Sequence, residues 1–326
     1  MHFGIKTNNL TWLELQKKFV EQIIDKSIDG HDRVVFLGDL FDIRYSVNTL
    51  VGCEVKKLVR RLLNKHRDVQ FVFVAGNHDY YSPVIDFEEY NAYELAFGEE
   101  FVEAYPNMQI VSSLPLLKDR TLFLPWYFTE DDARYEATMK EYRGQFDIVY
   151  CHTDCEHWSD AKAALKGDAT VYSGHIHYPY VNIENRLFNL GAACAFTFND
   201  VNSHRFLYTI ENGKITDKIE NDVTPRFSRF YNDRIFDLTE TDLTNSITQL
   251  CISKDNLQKA RFKEQIKYLK MTYTGCDIRV IEIDESMSDM YTGDTIDFNT
   301  NIHEYIRQNT PDHLSSKLDI LTERLL

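Results

Sequence analysis

Four short runs of β-branched and aromatic residues each end where a side chain able to hold a metal opens the next loop. Arg33-Val34-Val35-Phe36-Leu37 leads into Gly38-Asp39-Leu40-Phe41-Asp42, and residues 69–75 lead into Gly76-Asn77-His78-Asp79. Residues 146–151 stop at His152, and residues 169–173 stop at Gly174-His175-Ile176-His177. Runs this short and this continuously apolar read as strands buried on both faces of a largely parallel sheet. In an open α/β sheet, ligands collect in the crevice beyond the carboxyl ends of the strands. A carboxylate, an amide and several imidazoles gathered there describe a site. Each signal alone is weak, because a lone Gly-Asp is usually a turn. Their coincidence at four successive strand ends is specific.

Divalent cations that activate water against a phosphate take mixed oxygen and imidazole ligands. In two-metal sites the ions sit about 3.5 to 4 Å apart, so one ligand must bridge them. Asp39 suits that bridge, Asn77 offers a carbonyl oxygen, and His152, His175 and His177 offer ring nitrogens. In extended backbone His175 and His177 would lie on one side and reach neighbouring metals. His78 follows a ligand directly and would project differently. It suits a group that protonates the leaving oxygen or steadies charge in the transition state.

Gly-Asp-x-x-Asp, Gly-Asn-His-Asp, an isolated His and Gly-His-x-His, in this order, resemble the calcineurin-like metallophosphoesterases. Leu40-Phe41, Leu124-Pro125-Trp126 and Asn189-Leu190-Gly191-Ala192 narrow the resemblance to the SbcD-type recombination and repair nucleases, particularly those of bacteriophages. It covers about residues 1 to 230. The resemblance implies an α/β fold: a four-layer αββα sandwich with a small C-terminal α/β capping domain. It further implies two divalent cations, manganese with magnesium as second candidate, and exonuclease and endonuclease activity on DNA. A homodimer and a partner ATPase of the SbcC type, SMC-like in architecture, complete the expectation. By the same resemblance Asp39 bridges the metals, Asn77, His152 and His175 complete one ion, His2 and His177 hold the other, and His78 is catalytic. The family also begins with a strand running into Asp-x-His. Here Met1 stands at the x and His2 at the histidine, so the first carboxylate and its strand are expected upstream of Met1.

Along the chain, Thr11-Trp12-Leu13-Glu14 reads as a capping box for a helix carrying Trp12, Leu15, Phe19, Val20, Ile23 and Ile24. A second helix carries Val51, Val55, Leu58, Val59, Leu62 and Leu63 between the first two strands, which gives a β-α-β order. Further helices are expected near residues 90–97, 130–143 and 161–165, and strands at 109–111 and 121–125. From Val181, the segments 186–190, 193–198, 205–210 and 214–219 alternate with turn residues and read as an antiparallel second sheet packed on the first. A boundary at Thr224-Pro225-Arg226 divides residues 1–224, the nuclease domain, from residues 225–326, a C-terminal capping and partner-binding domain. In the latter, a helix over 255–269, a strand over 277–283, an acidic connector over 284–295 and a last helix opened by Thr310-Pro311 are expected.

At 326 residues the chain is long enough for one large domain and a smaller one. No apolar stretch approaches the roughly 20 residues of a membrane span, and no leader pattern opens the sequence. Six cysteines without a CxxC pair read as reduced core thiols in a cytosol, which the resemblance makes that of a bacterial or phage-infected cell. Cys151 and Cys155 flank His152 but lack a second ligand pair for zinc. A net charge of −15 excludes a protein that holds nucleic acid by its overall field. Lys56, Lys57, Arg60, Arg61, Lys65 and Arg67 form a basic helix face that is read first as solvated surface. Two other activities stay open: phosphomonoesterase or nucleotide phosphodiesterase, and an impaired scaffold for the ATPase.

Overall fold

The computed structural model describes residues 1–44, 46–82, 90–126, 131–153, 166–182, 186–201, 204–273 and 276–283. The expected helices over 161–165 and after Thr310, the acidic connector and Cys155 lie outside them. The chain forms two compact units, one of Met1–Ser228 with Thr244–Ile247, the other of Arg229–Leu243 and the described residues from Thr248 onward.

In the first unit, β1 (Arg33–Leu37), β2 (Gln70–Val74) and β3 (Met108–Val111) make a parallel sheet in that order. A second sheet follows, built from β4 (Leu116–Lys118), β5 (Thr121–Leu124), β6 (Ile148–Cys151), β7 (Thr170–Ser173), β8 (Tyr180–Asn182) and β9 (Leu187–Asn189). Its order is β4-β5-β6-β7-β9-β8, parallel from β5 through β9 and antiparallel at both edges. β10 (Phe206–Glu211) and β11 (Lys214–Glu220) form an antiparallel hairpin.

Strand alternation sorts these sheets into layers. Phe71, Phe73 and Ala75 face a core with Trp12, Leu13 and Phe19 of the helix Leu10–Phe19 and Val51, Val55, Leu58, Val59, Leu62 and Leu63 of the helix Thr49–Lys65. Their neighbours Val72 and Val74 point the other way, into a core shared with Phe123, Tyr150 and Tyr172 of the second sheet. Leu122, Leu124, Val149, Cys151 and Val171 then face Tyr135 and Met139 of the helix Asp132–Glu141. Helix, sheet, sheet, helix is the αββα sandwich.

Several local readings are corrected. The strands ending at His152 and His175 belong to the second sheet, which begins at Leu116 rather than after Val181. Residues 193–198 are not a strand. The amides of Phe196 and Thr197 donate to Asp200 Oδ2 instead of to a neighbouring strand, and Cys194, Ala195 and Phe196 are buried as an irregular segment. Asn9, not Thr11, caps the first long helix, accepting from the amides of Thr11 and Trp12 at 3.0 and 3.2 Å. The helix expected over 255–269 breaks at Lys259 into Lys254–Gln258 and Ala260–Thr272.

β1 ends its sheet, and all five of its residues are half-buried, whereas Phe71, Val72, Phe73 and Val74 of β2 are fully buried. A slot of about 260 Å³ is lined by β1, by residues 206–210 of β10, by Met1 and His2, and by Asp39, His152, His175 and His177.

The second unit has its own core of Ile235, Leu250, Ile252, Phe262, Leu269 and Ile278. β12 (Arg226–Tyr231), β13 (Ser246–Ser253) and β14 (Asp277–Ile283) form a sheet in that order; β12 and β13 are strands that the sequence pattern did not suggest. No helix among the described residues is long and apolar enough to cross a membrane.

Candidate metal centre

Register builds the site. Leu37 pairs with Val74 in the first sheet, and Cys151 pairs with Ser173 in the second, so neighbouring strands end level. The loops that follow therefore open on one rim. The two sheets are tied there by His152, whose Nδ1 lies 2.6 Å from the carbonyl of Leu37. A carbonyl only accepts, so Nδ1 carries a proton, and in the neutral ring Nε2 is the bare nitrogen. Nε2 faces Asp39 Oδ2 at 3.2 Å and Asn77 Oδ1 at 3.1 Å. His175 brings Nδ1 to 3.1 Å from the same amide oxygen. The packing leaves no room for a side chain on Gly76, since a Cβ there would lie 2.5 Å from Asp39 N and 2.8 Å from His152 Cε1.

Asp39 belongs to two groups of three. Its carboxylate, His152 and His175 offer ligand atoms all within 4.8 Å of one another, and so do His2, Asp39 and His78. His2 is fully buried, with Nε2 3.5 Å from Asp39 Oδ2. The amide of His2 donates to the carbonyl of Asp39, the amide of Phe3 to that of Leu40, and Gln16 Nε2 to the carbonyl of His2 at 3.1 Å. His78 donates its amide to Asp39 Oδ1 at 2.8 Å and its Nδ1–H to the carbonyl of Asp42 at 2.6 Å. His177 stands outside both groups, its ring 5.1 Å from that of His2.

One expectation needs correction here. His175 and His177 do not share a side of extended backbone. His175 has φ +81°, and the amide of Ile176 turns back to the carbonyl of Gly174, so the two rings diverge. One meets Asn77 and His152; the other meets His2 and Phe196. His2 and Asp39 also sit at positive φ, +53° and +51°. Non-glycine residues held there store strain that the surroundings must over-determine, a pattern typical of functional sites.

The charges are organised around Asp39. Burial opposes its ionisation, but the imidazoles of His152, His2 and His78 outweigh that and hold its carboxyl well below the usual range. Burial likewise opposes a charged His152, and Asp39 outweighs it, so that ring keeps its proton to a higher pH than usual. His2 is pushed down to about 4, chiefly by burial. Asp79 is pushed up to about 7 by burial and by the charge of Asp39.

A cation fits this donor set. With His152 neutral, the bare Nε2 and the oxygens of Asp39 and Asn77 are three mutually facing acceptors, which repel unless a proton or a metal lies among them. One carboxylate, one amide and imidazole nitrogens are ligands for manganese-like or zinc-like ions. Cys151 belongs to neither group.

Four contributors escaped the sequence reading. Asp79 is buried, accepting from the amides of Gly76 and Phe41 and so shaping both ligand loops. Asp42 supplies the carbonyl that orients His78. Both acids stand inside the motifs, which was the available signal. Gln16 and Asp200 had none, because each acts through a contact between distant segments. On the basic helix, Lys57, Arg61 and Lys65 pair with Glu54, Glu21 and Asp25.

A sequence model described as calcineurin-like phosphoesterase matches residues 10–179, a little over half of the 326. No curated protein matches the chain.

Proposed function

The chain belongs to the calcineurin-like phosphoesterase family, whose members are metal-dependent hydrolases, and from that premise we propose that it is a nuclease hydrolysing DNA phosphodiesters. The observation that carries the reading is the sharing of Asp39 between the His152–His175 group and the His2–His78 group. Asp39, Asn77, His152 and His175 would hold one divalent cation. Asp39 and His2, with His177, would hold a second. Such ions, when bound, supply a Lewis acid and lower the pKa of water.

The side chains do the rest. Asp39 keeps a full negative charge because three imidazoles surround it. The Asn77 amide oxygen lies 3.1 Å from both His152 Nε2 and His175 Nδ1, placed to share a cation with them. His78, anchored through Nδ1, keeps Nε2 to hold or give a proton at the leaving oxygen. Manganese is the proposed metal, since imidazole-rich ligation favours it over magnesium.

DNA as substrate is supported by the narrower motif resemblance around Leu124-Pro125-Trp126 and Asn189-Leu190-Gly191-Ala192 and by a second folded unit after the site. With a net charge of −15 and three of its six helix cations paired with acids, the chain needs metals and a partner to attract a polyanion. An SbcC-type ATPase and a homodimer are the proposed assembly, and the cytoplasm its proposed location.

Linear DNA and p-nitrophenyl phosphate, each assayed with manganese, magnesium or chelator, test the reading. Manganese-dependent degradation of DNA is expected, with His78→Ala lowering the rate about 10²- to 10⁴-fold. Hydrolysis of the small ester with no action on DNA would replace DNA by a small substrate, and inactivity on both would leave a scaffold.

A further inference from the structure

We propose that Asp200 is a positioning residue that presents Nε2 of His177 to the metal centre, an inference that rests on the metal reading of that site. Asp200 closes the single-turn helix Phe198–Asp200 and is buried, with 4% of its surface exposed. Its two oxygens have different tasks. Oδ2 accepts from the amides of Phe196 and Thr197, both at 2.9 Å, and the side chain is locked by those bonds. Oδ1 is thereby turned to His177 Nδ1 at 3.4 Å and Arg205 Nη2 at 3.1 Å.

A carboxylate so placed accepts and cannot donate. Two backbone amides on Oδ2 and the Arg205 guanidinium beside Oδ1 are partners for the charged, accepting form. Arg205 is itself buried, so the pair is shielded from solvent. An acceptor facing Nδ1 selects the tautomer with the proton on that nitrogen. Nε2 is then left with a lone pair, the form a metal requires. The rings of Phe196 and His2 pack beside His177, with centres 5.8 and 5.1 Å from its own. His177 shows 34% exposure of its side chain and lacks the burial that fixes His2 and His152, so it depends on such a partner.

The test has two parts. In the metal-free chain, ring nitrogen chemical shifts of His177 should show the proton on Nδ1; a proton on Nε2 overturns the inference without any variant being made. Asp200→Asn keeps the shape but can turn an amide N–H toward Nδ1, which selects the opposite tautomer. Calorimetric titration with manganese should then show about a 10- to 100-fold loss at the site that His177 serves, with the His152–His175 site unchanged. His177→Ala should give a similar loss, and the double variant no more than either single one. Unchanged affinity in Asp200→Asn, or additive losses, would overturn it. Absence of manganese uptake by the unmutated chain would instead overturn the metal reading itself, and is recognised by an intact Nδ1–H signal alongside the missing binding.

Discussion

The two halves of the metal centre share Asp39 but are built differently. His152, His175 and Asn77 follow strands whose ladders are complete on both sides: β2 lies between β1 and β3, β6 between β5 and β7, β7 between β6 and β9. His2, in the other half, follows no described strand: its amide donates to the carbonyl of Asp39, its carbonyl accepts from Gln16 Nε2, and its Nδ1 lies 3.2 Å from Asp42 Oδ1. Its neighbour His177 leans on Asp200. A ligand at the end of a paired strand inherits the precision of the sheet. A ligand that no strand ladder carries must be fixed contact by contact. The first half should therefore bind its ion tightly, and the second should bind weakly and depend on its supports.

The largest effect that probes this contrast comes from single ligand deletions. His152→Ala should abolish the tight step of a manganese titration, a loss of more than about 100-fold, because it removes a ligand and the tie to Leu37. His2→Ala should leave that step in place and remove only the weak one. Asp39→Ala should remove both. Equal losses from His152→Ala and His2→Ala would show that the halves are not independent, and the contrast would fail.

Much of the first half was legible in the sequence, because Asp39, Asn77, His152 and His175 each follow an apolar run whose period and composition reveal a buried strand. The backbone twist at His175 was not legible; an x-His-x-His spacing carries no record of a positive φ. The segment 193–198 misled for a related reason. Small and aromatic residues such as Ala193, Cys194, Ala195 and Phe196 suit a strand or any buried segment, and only Asp200, by taking the amides of Phe196 and Thr197, decides between them. The assignment of strands to two sheets was equally hidden, since parallel runs look alike whichever sheet they join. Tertiary pairing chose, through the interleaved core of Val72, Val74, Phe123, Tyr150 and Tyr172.

A smaller effect should follow pH. Burial works against a charged His152, and Asp39 more than compensates, so this ring enters the metal-free state protonated up to a higher pH than a free imidazole. A metal needs it neutral. Binding must therefore displace the proton, and affinity of the tight half should rise with pH and fall as the solution is acidified. His2 has the opposite bias: burial first, pushing it down to about 4, keeps it neutral through the same range. Titrations in two buffers of different ionisation enthalpy should show protons released in the tight step and few in the weak one. Proton release confined to the weak step would reverse the electrostatic reading of the two halves.

The smallest effect concerns the slot beside β1. Val34, Val35, Phe36 and Leu37 are half-buried, no described strand pairs with that edge, and Leu207 and Ile210 of β10 line the same 260 Å³ gap. Two facing sheet edges with apolar side chains and unpaired backbone groups suit one extended segment. The Met1 amino group stands at its end, buried and bonded to the carbonyl of Asp39 at 3.0 Å, with burial depressing its pKa. A segment of about five alternating apolar residues ending in Asp, joined ahead of Met1, would replace the buried amino group by a neutral amide that can keep the same bond, and would cover each half-buried side chain at up to about 1.5 to 3 kcal/mol before the cost of ordering the segment. A net gain of about 1 to 2 kcal/mol should raise the Tm by roughly 2 to 8 °C. The new carboxylate would reach the His2 half alone, so its manganese affinity should rise while that of the His152 half stays put. A more stable protein whose weak site is unchanged would mean that the slot takes a strand without serving the metal; an unchanged Tm would mean that the two edges are not spaced to share one.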